Sequence, residues 1–517
     1  MSEPMDMPKT DRQLPSQDTS FFGHPRGLST LFFTEMWERF SFYGLRPLLV
    51  LFMKAAIDSG GFGIPVEQAS AIVGIYAASV YLASLPGGWI ADRLLGLRRA
   101  IMTGAVLISC GHISIGFSAL AHTKATFFIG LVLIVLGTGL LKPNISAIVG
   151  DLYPEGGARR DAGFSIFYMG INSGAVLGQL FTGLLGEKVG WHFGFGAAGV
   201  GMLIGLAWFA FRSKKTLGNL GSEPTRHADP AVQRKQEAMM KLTLAIGLGL
   251  LIVVIALASF RIIHINPLVV GRYFLYVLVG VAVVYFLYLF IAGGLVGDEK
   301  KRVIVIFILF IFASIFWAAF EQAPTSLNLF ASDFTRRTIF GWEVPAIWFQ
   351  NINSIFIVLL APLFGALWLK FAKAGHPLSS PFRFALGLLF GAIGFGLMIP
   401  AANFLVSTNG LIKVSALWLV FSYIFQTFGE LCLSPVGLSS MTKLSPRRYV
   451  GQMMGVWFLA SSLGNLIAGL VGGHVNPENL AQTPLVFIGT TIALVIAAAI
   501  LFALTPFIRK LIPLEAR

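Results

Sequence analysis

Fourteen apolar stretches, each long enough to cross a bilayer as a helix, limit what this 517-residue chain can become. They cover residues 28–53, 67–92, 99–121, 125–150, 161–186, 192–211, 242–260, 271–296, 303–331, 343–369, 382–405, 411–440, 449–473 and 482–508. Composition points the same way: 56% of residues are hydrophobic and 12% charged, and a soluble domain carries roughly twice that charged fraction. The chain is expected to be an all-α polytopic membrane protein.

A net charge of +14 would suggest nucleic acid only if the basic residues clustered on a folded domain. They lie instead in short loops between the apolar runs, so no nucleic-acid partner is expected. With both termini placed in the cytoplasm, 27 Lys and Arg fall inside and eight outside; Arg39, Arg46 and Lys142 remain within spans. That asymmetry is the positive-inside pattern. Residues 1–27 and 511–517 read as cytoplasmic tails, and Arg212 to Lys241 as a polar cytoplasmic linker dividing the chain. Cys110 and Cys432 sit in apolar segments and suggest neither a disulfide framework nor a metal site.

The first span breaks the apolar rule. It contains Thr34-Glu35-Met36-Trp37-Glu38-Arg39-Phe40-Ser41-Phe42-Tyr43-Gly44-Leu45-Arg46-Pro47. Glu35, Glu38 and Arg39 are spaced i, i+3, i+4 and share a helix face, and Arg46 returns to that face two turns on. Ionisable groups at mid-membrane are costly and face cavities rather than lipid. This segment resembles Glu-x-x-Glu-Arg-Phe-x-Tyr-Tyr-Gly, the first-helix signature of proton-dependent oligopeptide transporters, a branch of the major facilitator superfamily. Phe42 replaces the first Tyr of that signature.

Three further segments resemble the same family. Phe167-Tyr168-Met169-Gly170-Ile171-Asn172-Ser173-Gly174 is similar to its Phe-Tyr-x-x-Ile-Asn-x-Gly, although Ala175-Val176 follows where Ser-Leu is usual. Gln350-Asn351-Ile352-Asn353 resembles Gln-x-x-Asn-Pro, with Ser354 in place of proline. Gly429-Glu430-Leu431-Cys432-Leu433-Ser434-Pro435 puts Glu430 and Ser434 on one face. Gly88-x-x-x-Asp92-Arg93-x-x-Gly96-x-Arg98-Arg99 resembles the superfamily's loop between spans two and three. The resemblance implies two six-helix bundles, 28–211 and 300–510, plus a transmembrane hairpin inserted at 242–299, whose span centres carry no ionisable residue.

The mid-span ionisable residues are Glu35, Glu38, Arg39, Arg46, Lys142, Glu321 and Glu430. Four acids face three bases, so one bound proton neutralises the set and a zwitterionic ligand leaves the balance unchanged. Lys142 precedes Pro143 and either faces the first-helix acids, as the resemblance implies, or snorkels to the cytoplasmic edge. Trp317 lies i−4 from Glu321, and Trp457 i−4 from Ser461. A span Trp is often packing or interfacial belt; Trp457, deeper in its span, is the better candidate for a cavity wall.

On this reading the chain imports di- and tripeptides with protons across a bacterial inner membrane, acts as a monomer, and needs no cofactor beyond protons as coupling ion. Arg39 and Lys142 are expected to hold the peptide carboxylate, and Glu430 with Asn353 the amine. Tyr43, Tyr81, Asn172 and Trp457 shape the cavity between, with Tyr168, Trp317, Ser434 and Ser461 also at the substrate. Glu35, Glu38 and Glu321 carry protons. Arg46 with Glu321 is expected to gate one mouth, and Lys142 with Glu430 the other. A nitrate or other small-solute carrier of the same family is the nearest alternative; a receptor or intramembrane enzyme is the remote one. No nucleophile elbow, His-Glu-x-x-His or phosphate loop is present to support catalysis, and His112 is the only histidine deep in a span.

Overall fold

A computed structural model describes residues 18–224, 229–260, 262–375 and 378–512. Helices are what a bilayer permits such sequences, because lipid offers backbone groups no hydrogen bonds. The first bundle consists of α1 (Arg26–Lys54), α2 (Val66–Ile90), α3 (Leu97–Ala121), α4 (Lys124–Asp151), α5 (Gly157–Lys188) and α6 (Trp191–Thr216). A hairpin follows, α7 (Pro230–Ser259) and α8 (Pro267–Ile291). The remainder is α9 (Asp298–Phe320), α10 (Asn328–Phe334), α11 (Asn351–Lys373), α12 (Ser380–Gly396), α13 (Met398–Ser407), α14 (Leu417–Lys443), α15 (Val450–Gly472) and α16 (Gln482–Leu511). The segments α9–α10 and α12–α13 each form one interrupted span. Among the described residues thirteen helical segments are long and apolar enough to cross a membrane, and the 29-residue α1 joins them by length while carrying its charged ladder.

Within the first bundle, α1 packs on α5 and α6, and α4 on α2 and α3; in the second, α12 packs on α14 and α16, and α9 on α15. The halves meet along two seams, α2 against α15 and α5 against α11. At the first seam glycine is required. A Cβ built on Gly74 would lie 2.7 Å from the Gly469 Cα, and one on Gly469 2.4 Å from the Gly74 Cα. Overpacking of this kind costs about 1–3 kcal/mol, so Gly74→Val is expected to cut uptake roughly tenfold or more. Wild-type uptake by that variant would show that the seam has slack.

Glycine also fixes the charged ladder. Cβ atoms on Gly174 and Gly178 of α5 would fall 2.1 Å from the Met36 carbonyl oxygen and 2.2 Å from that of Phe40. The bare backbone of α5 therefore lies against the face of α1 that carries Arg39, whose own Cβ would be 3.0 Å from a Cβ on Gly174.

Several segments differ from the sequence expectation. The tail reading of residues 1–17 and 513–517 lies outside the described residues. Residues of the predicted tail from Asp18 onward are packed: a ring nitrogen of His24 is 2.8 Å from the Tyr153 hydroxyl, and Asp18 accepts from the Arg26 backbone and side chain. The predicted linker is largely helix, because α6 continues to Thr216 and α7 starts at Pro230. Asp229 caps α7 by accepting from the Ala231 amide at 2.8 Å, with Pro230 in the first turn; both residues favour a helix start. The span predicted from 343 begins at the end of a short strand and, after Pro345, runs as a 3-10 helix over Ala346–Gln350 before becoming α11 at Asn351. Short strands also occur among the described residues: β1 (Thr335–Arg336) pairs in parallel with β4 (Val414–Ser415), and β2 (Thr338–Ile339) in antiparallel with β3 (Trp342–Glu343).

Candidate functional site

Between the halves lies a cavity of about 200 Å³. Its first-half wall is a stripe on α5, Tyr168, Asn172, Ala175 and Gln179, spaced at about one turn, together with Tyr43 and Arg46 of α1 and Tyr81 of α2. The opposite wall comes from Trp317 and Glu321, from Gln350 and Asn353, and from a second stripe on α14, Tyr423, Gln426, Glu430 and Ser434. Glu430 is held by Asn353, whose Nδ2 donates to Oε2 at 3.0 Å and to the Thr427 hydroxyl at 3.1 Å. The anionic group of this wall is thereby aimed before any ligand arrives.

The charged ladder of α1 stands one aromatic ring behind the lining. Arg39 Nε reaches Glu35 Oε1 at 3.1 Å and also contacts Glu38. All three are buried, and Glu35 Oε2, Glu38 Oε1 and Arg39 Nη2 have no partner among the described residues. The Arg39 guanidinium lies 5.1 Å from the Phe42 ring centroid and 5.9 Å from that of Tyr43. Lys142 Nζ sits 3.9 Å above the Tyr81 ring and 5.9 Å from that of Phe458 on α15. Pro143 helps to aim it, since proline removes one helix hydrogen bond and bends the chain. The lysine points between the halves instead of snorkelling to an edge. It makes no ion pair among the described residues, and Glu430 keeps Asn353 as its partner, so the expected Lys142–Glu430 contact is open.

Arg46 and Glu321 do meet. Arg46 Nη2 is 2.6 Å from Glu321 Oε2, with both side chains more than nine-tenths buried, and also donates to Asn465 Oδ1 on α15. The helix is interrupted just here: α9 ends at Phe320, Glu321 caps it, and a π turn over Ala323–Leu327 containing Pro324 leads into α10. Beyond this pair the halves are joined again at the face away from the termini. Asn328 Nδ2 donates to the Pro47 carbonyl at 2.9 Å. Lys54 pairs with Asp333 at 2.5 Å, and Glu187 accepts from the Ala346 and Ile347 amides and pairs with Arg337. Lys188, by its hydrogen bond, and Arg337, by its charge, hold the Glu343 carboxyl below the usual carboxylate range. At the other end Tyr168 lines the cavity yet is 47% exposed, so the cavity opens toward the face that carries the termini.

Not every expected residue reaches the cavity. Trp457 is buried behind it, edge-to-face on Trp317 at 6.2 Å between ring centroids, because Gly437 admits its ring so closely that a Cβ there would lie 2.2 Å away. Ser461 bonds the Trp457 carbonyl at 3.4 Å and supports Asn465, whose Nδ2 donates to the Ser461 carbonyl at 2.9 Å. Arg39 and Lys142 are behind Tyr43 and Tyr81. Phe42 is also off the cavity, buried near Tyr76 with ring centroids 6.3 Å apart. Phe42→Tyr is therefore expected to keep transport, with apparent affinity changing less than about fivefold, the scale of one net hydrogen bond. Collapse of transport would show that the pocket has no room for the hydroxyl. Gln179, Gln350, Tyr423, Gln426 and Asn465 are the site residues that sequence reasoning missed. Their signal was spacing: Gln179 is seven residues after Asn172, Gln350 three before Asn353, Tyr423 seven and Gln426 four before Glu430, and Asn465 four after Ser461.

A helical membrane protein in two halves, with a buried charged cavity between them and closed at one face, has the form of a secondary transporter. Residues 98–485 match the POT family. The chain is 50% identical over 501 residues to "Peptide transporter YePEPT" of Yersinia enterocolitica, covering 95% of this chain and 96% of that one. It is 37% identical over 510 residues to the di-/tripeptide transporter of Lactococcus lactis, covering 96% and 99%. The crystal structure of a peptide transporter POT in complex with sulfate superposes with a TM-score of 0.86 at 39% identity, covering 96% of this chain and 97% of that one. The chain belongs to the POT family.

Proposed function

We propose that this protein is a proton-coupled symporter that imports di- and tripeptides by alternating access, as a monomer in a bacterial inner membrane with both termini cytoplasmic. On that orientation the described cavity opens inward. The observation that carries the reading is polarity across the cavity: the Asn353-held Glu430 on one wall and, behind Tyr43 and Tyr81 on the other, the cations Arg39 and Lys142. Such a pair of poles suits an α-amine and a carboxylate joined by a short backbone, through charge-assisted hydrogen bonds that ignore the side chains. Glu35, Glu38 and Glu321 are the proton-carrying candidates, since each is buried beside an arginine.

The small-solute alternative is disfavoured by Glu430, which repels an anion at the wall opposite the cations. Uptake of Ala-Ala into proteoliposomes, driven by an inward proton gradient, tests both readings. Competition by dipeptides and not by nitrate is the expected result; competition by nitrate alone would transfer the chain to the alternative.

Lys142 and Glu430 stand in opposite halves, and when the carrier opens outward they are proposed to pair and close the inner mouth. Reversing both charges, Lys142→Glu with Glu430→Lys, should then restore crosslinking across that mouth which either single reversal abolishes. Crosslinking that stays lost in the double variant would confine each residue to substrate.

A further inference from the structure

One layer of the cavity has no task in this mechanism. Gln350 lies one turn from Asn353 at the start of α11, and Gln426 one turn from Glu430 on α14, both on the side away from the termini. Gln179 reaches the same region from the upper end of the α5 stripe, seven residues beyond Asn172. All three line the cavity and are 4%, 7% and 2% exposed for Gln179, Gln350 and Gln426 respectively. Each keeps an unused hydrogen-bonding atom: Gln179 Oε1, Gln350 Nε2 and Gln426 Oε1 have no partner among the described residues. Gln426 is nonetheless oriented, because its Nε2 donates to the Ser422 hydroxyl at 2.9 Å.

Buried amides left unpaired are costly, and native proteins rarely collect several around one cavity unless a partner arrives. The partner must offer both a donor and an acceptor, since the free atoms are two acceptors and one donor. The three side chains are neutral, and the charges beside them, Arg46 and Glu321, already neutralise each other. Position names the part of the ligand concerned. The layer adjoins the amine anchor, so it meets the side chain of the first residue.

We propose that Gln179, Gln350 and Gln426 form a neutral hydrogen-bonding subsite that favours peptides whose first side chain carries a hydroxyl or a carboxamide. The inference rests on the peptide-transport reading above, with the amine held at Glu430.

The test uses isosteric pairs, so that size and shape cancel. Thr-Ala against Val-Ala, and Asn-Ala against Leu-Ala, are competed against labelled Ala-Ala uptake by the full-length protein in proteoliposomes. The wild-type protein is expected to prefer the polar member of each pair by about fivefold or more, the worth of one or two satisfied hydrogen bonds. Gln350→Met and Gln179→Met should bring the ratio toward one, with Gln426→Met as a third variant should either fail to fold. Failure of Ala-Ala uptake altogether would strike the peptide-transport reading. Intact Ala-Ala uptake with equal competition by Thr-Ala and Val-Ala in the wild type would overturn the subsite, whatever the variants do. A preference that survives all three substitutions would overturn it as well.

Discussion

Glu321→Gln is expected to abolish proton-driven accumulation of peptide while leaving counterflow, which needs no net proton movement, partly intact. The substitution keeps the shape of the side chain and removes the charge facing Arg46, which is buried and only 2.6 Å away. Removing one partner of a buried pair costs about 3–5 kcal/mol, because the other charge is left uncompensated. A change of that size moves a two-state balance more than about 100-fold. On the proposed mechanism a proton arriving at Glu321 does the same thing reversibly: it discharges the carboxylate and loosens the tie between α1 and the α9–α10 break. Asn465 keeps one hydrogen bond to Arg46, and Lys54–Asp333 still joins the halves further out, so the variant should remain folded. The measurements are accumulation under an imposed proton gradient and exchange at equal pH. Accumulation at the wild-type level would remove Glu321 from coupling and leave Glu35 and Glu38 as the proton site.

The second large effect is expected at Glu430. Glu430→Gln keeps a partner for Asn353 but removes the anion that this asparagine holds in place. A hydrogen bond to a charged group contributes about 1.5–3 kcal/mol, so dipeptide affinity should fall roughly 10–100-fold. Analogues lacking the α-amine should lose far less. Competition curves for Ala-Ala and its des-amino analogue give the comparison, and equal losses for the two would take the amine away from Glu430.

What could be read in the sequence follows from how expensive each feature is. Glu35, Glu38, Arg39 and Arg46 inside one apolar run demand an explanation, and the structure puts all four in the interior between helices. The fourteen spans are visible for the same reason: apolar length is a coarse signal that survives errors of a few residues at each end. Neutral amides lack that urgency. Gln179, Gln350 and Gln426 occur in spans at little cost in composition, and only three-dimensional convergence makes them a layer. Trp457 misled for a related reason, since depth within a span does not reveal which side of Trp317 the ring will occupy. The start of α7 shows a polar segment concealing a helix; Asp229-Pro230 was a start signal outweighed by the charge run around it. The break after Glu321 had a marker in Pro324, but whether a proline bends a helix or interrupts it depends on neighbours that the chain order does not show.

Among these helices α7 has an unusual solvent. None of its apolar window is buried against protein, so in a membrane its neighbours are acyl chains. Thirty residues of helix span about 45 Å against a hydrocarbon core of about 30 Å, so its basic first turns, with Arg234, Lys235 and Lys241, extend to headgroup depth. A helix in that position answers a thinner bilayer by tilting. The next helix in the chain, α8, packs on α2 and α15, one helix from each half. Tilting of α7 would therefore be passed first to α8, which rests on the seam between the halves and lines no part of the described cavity.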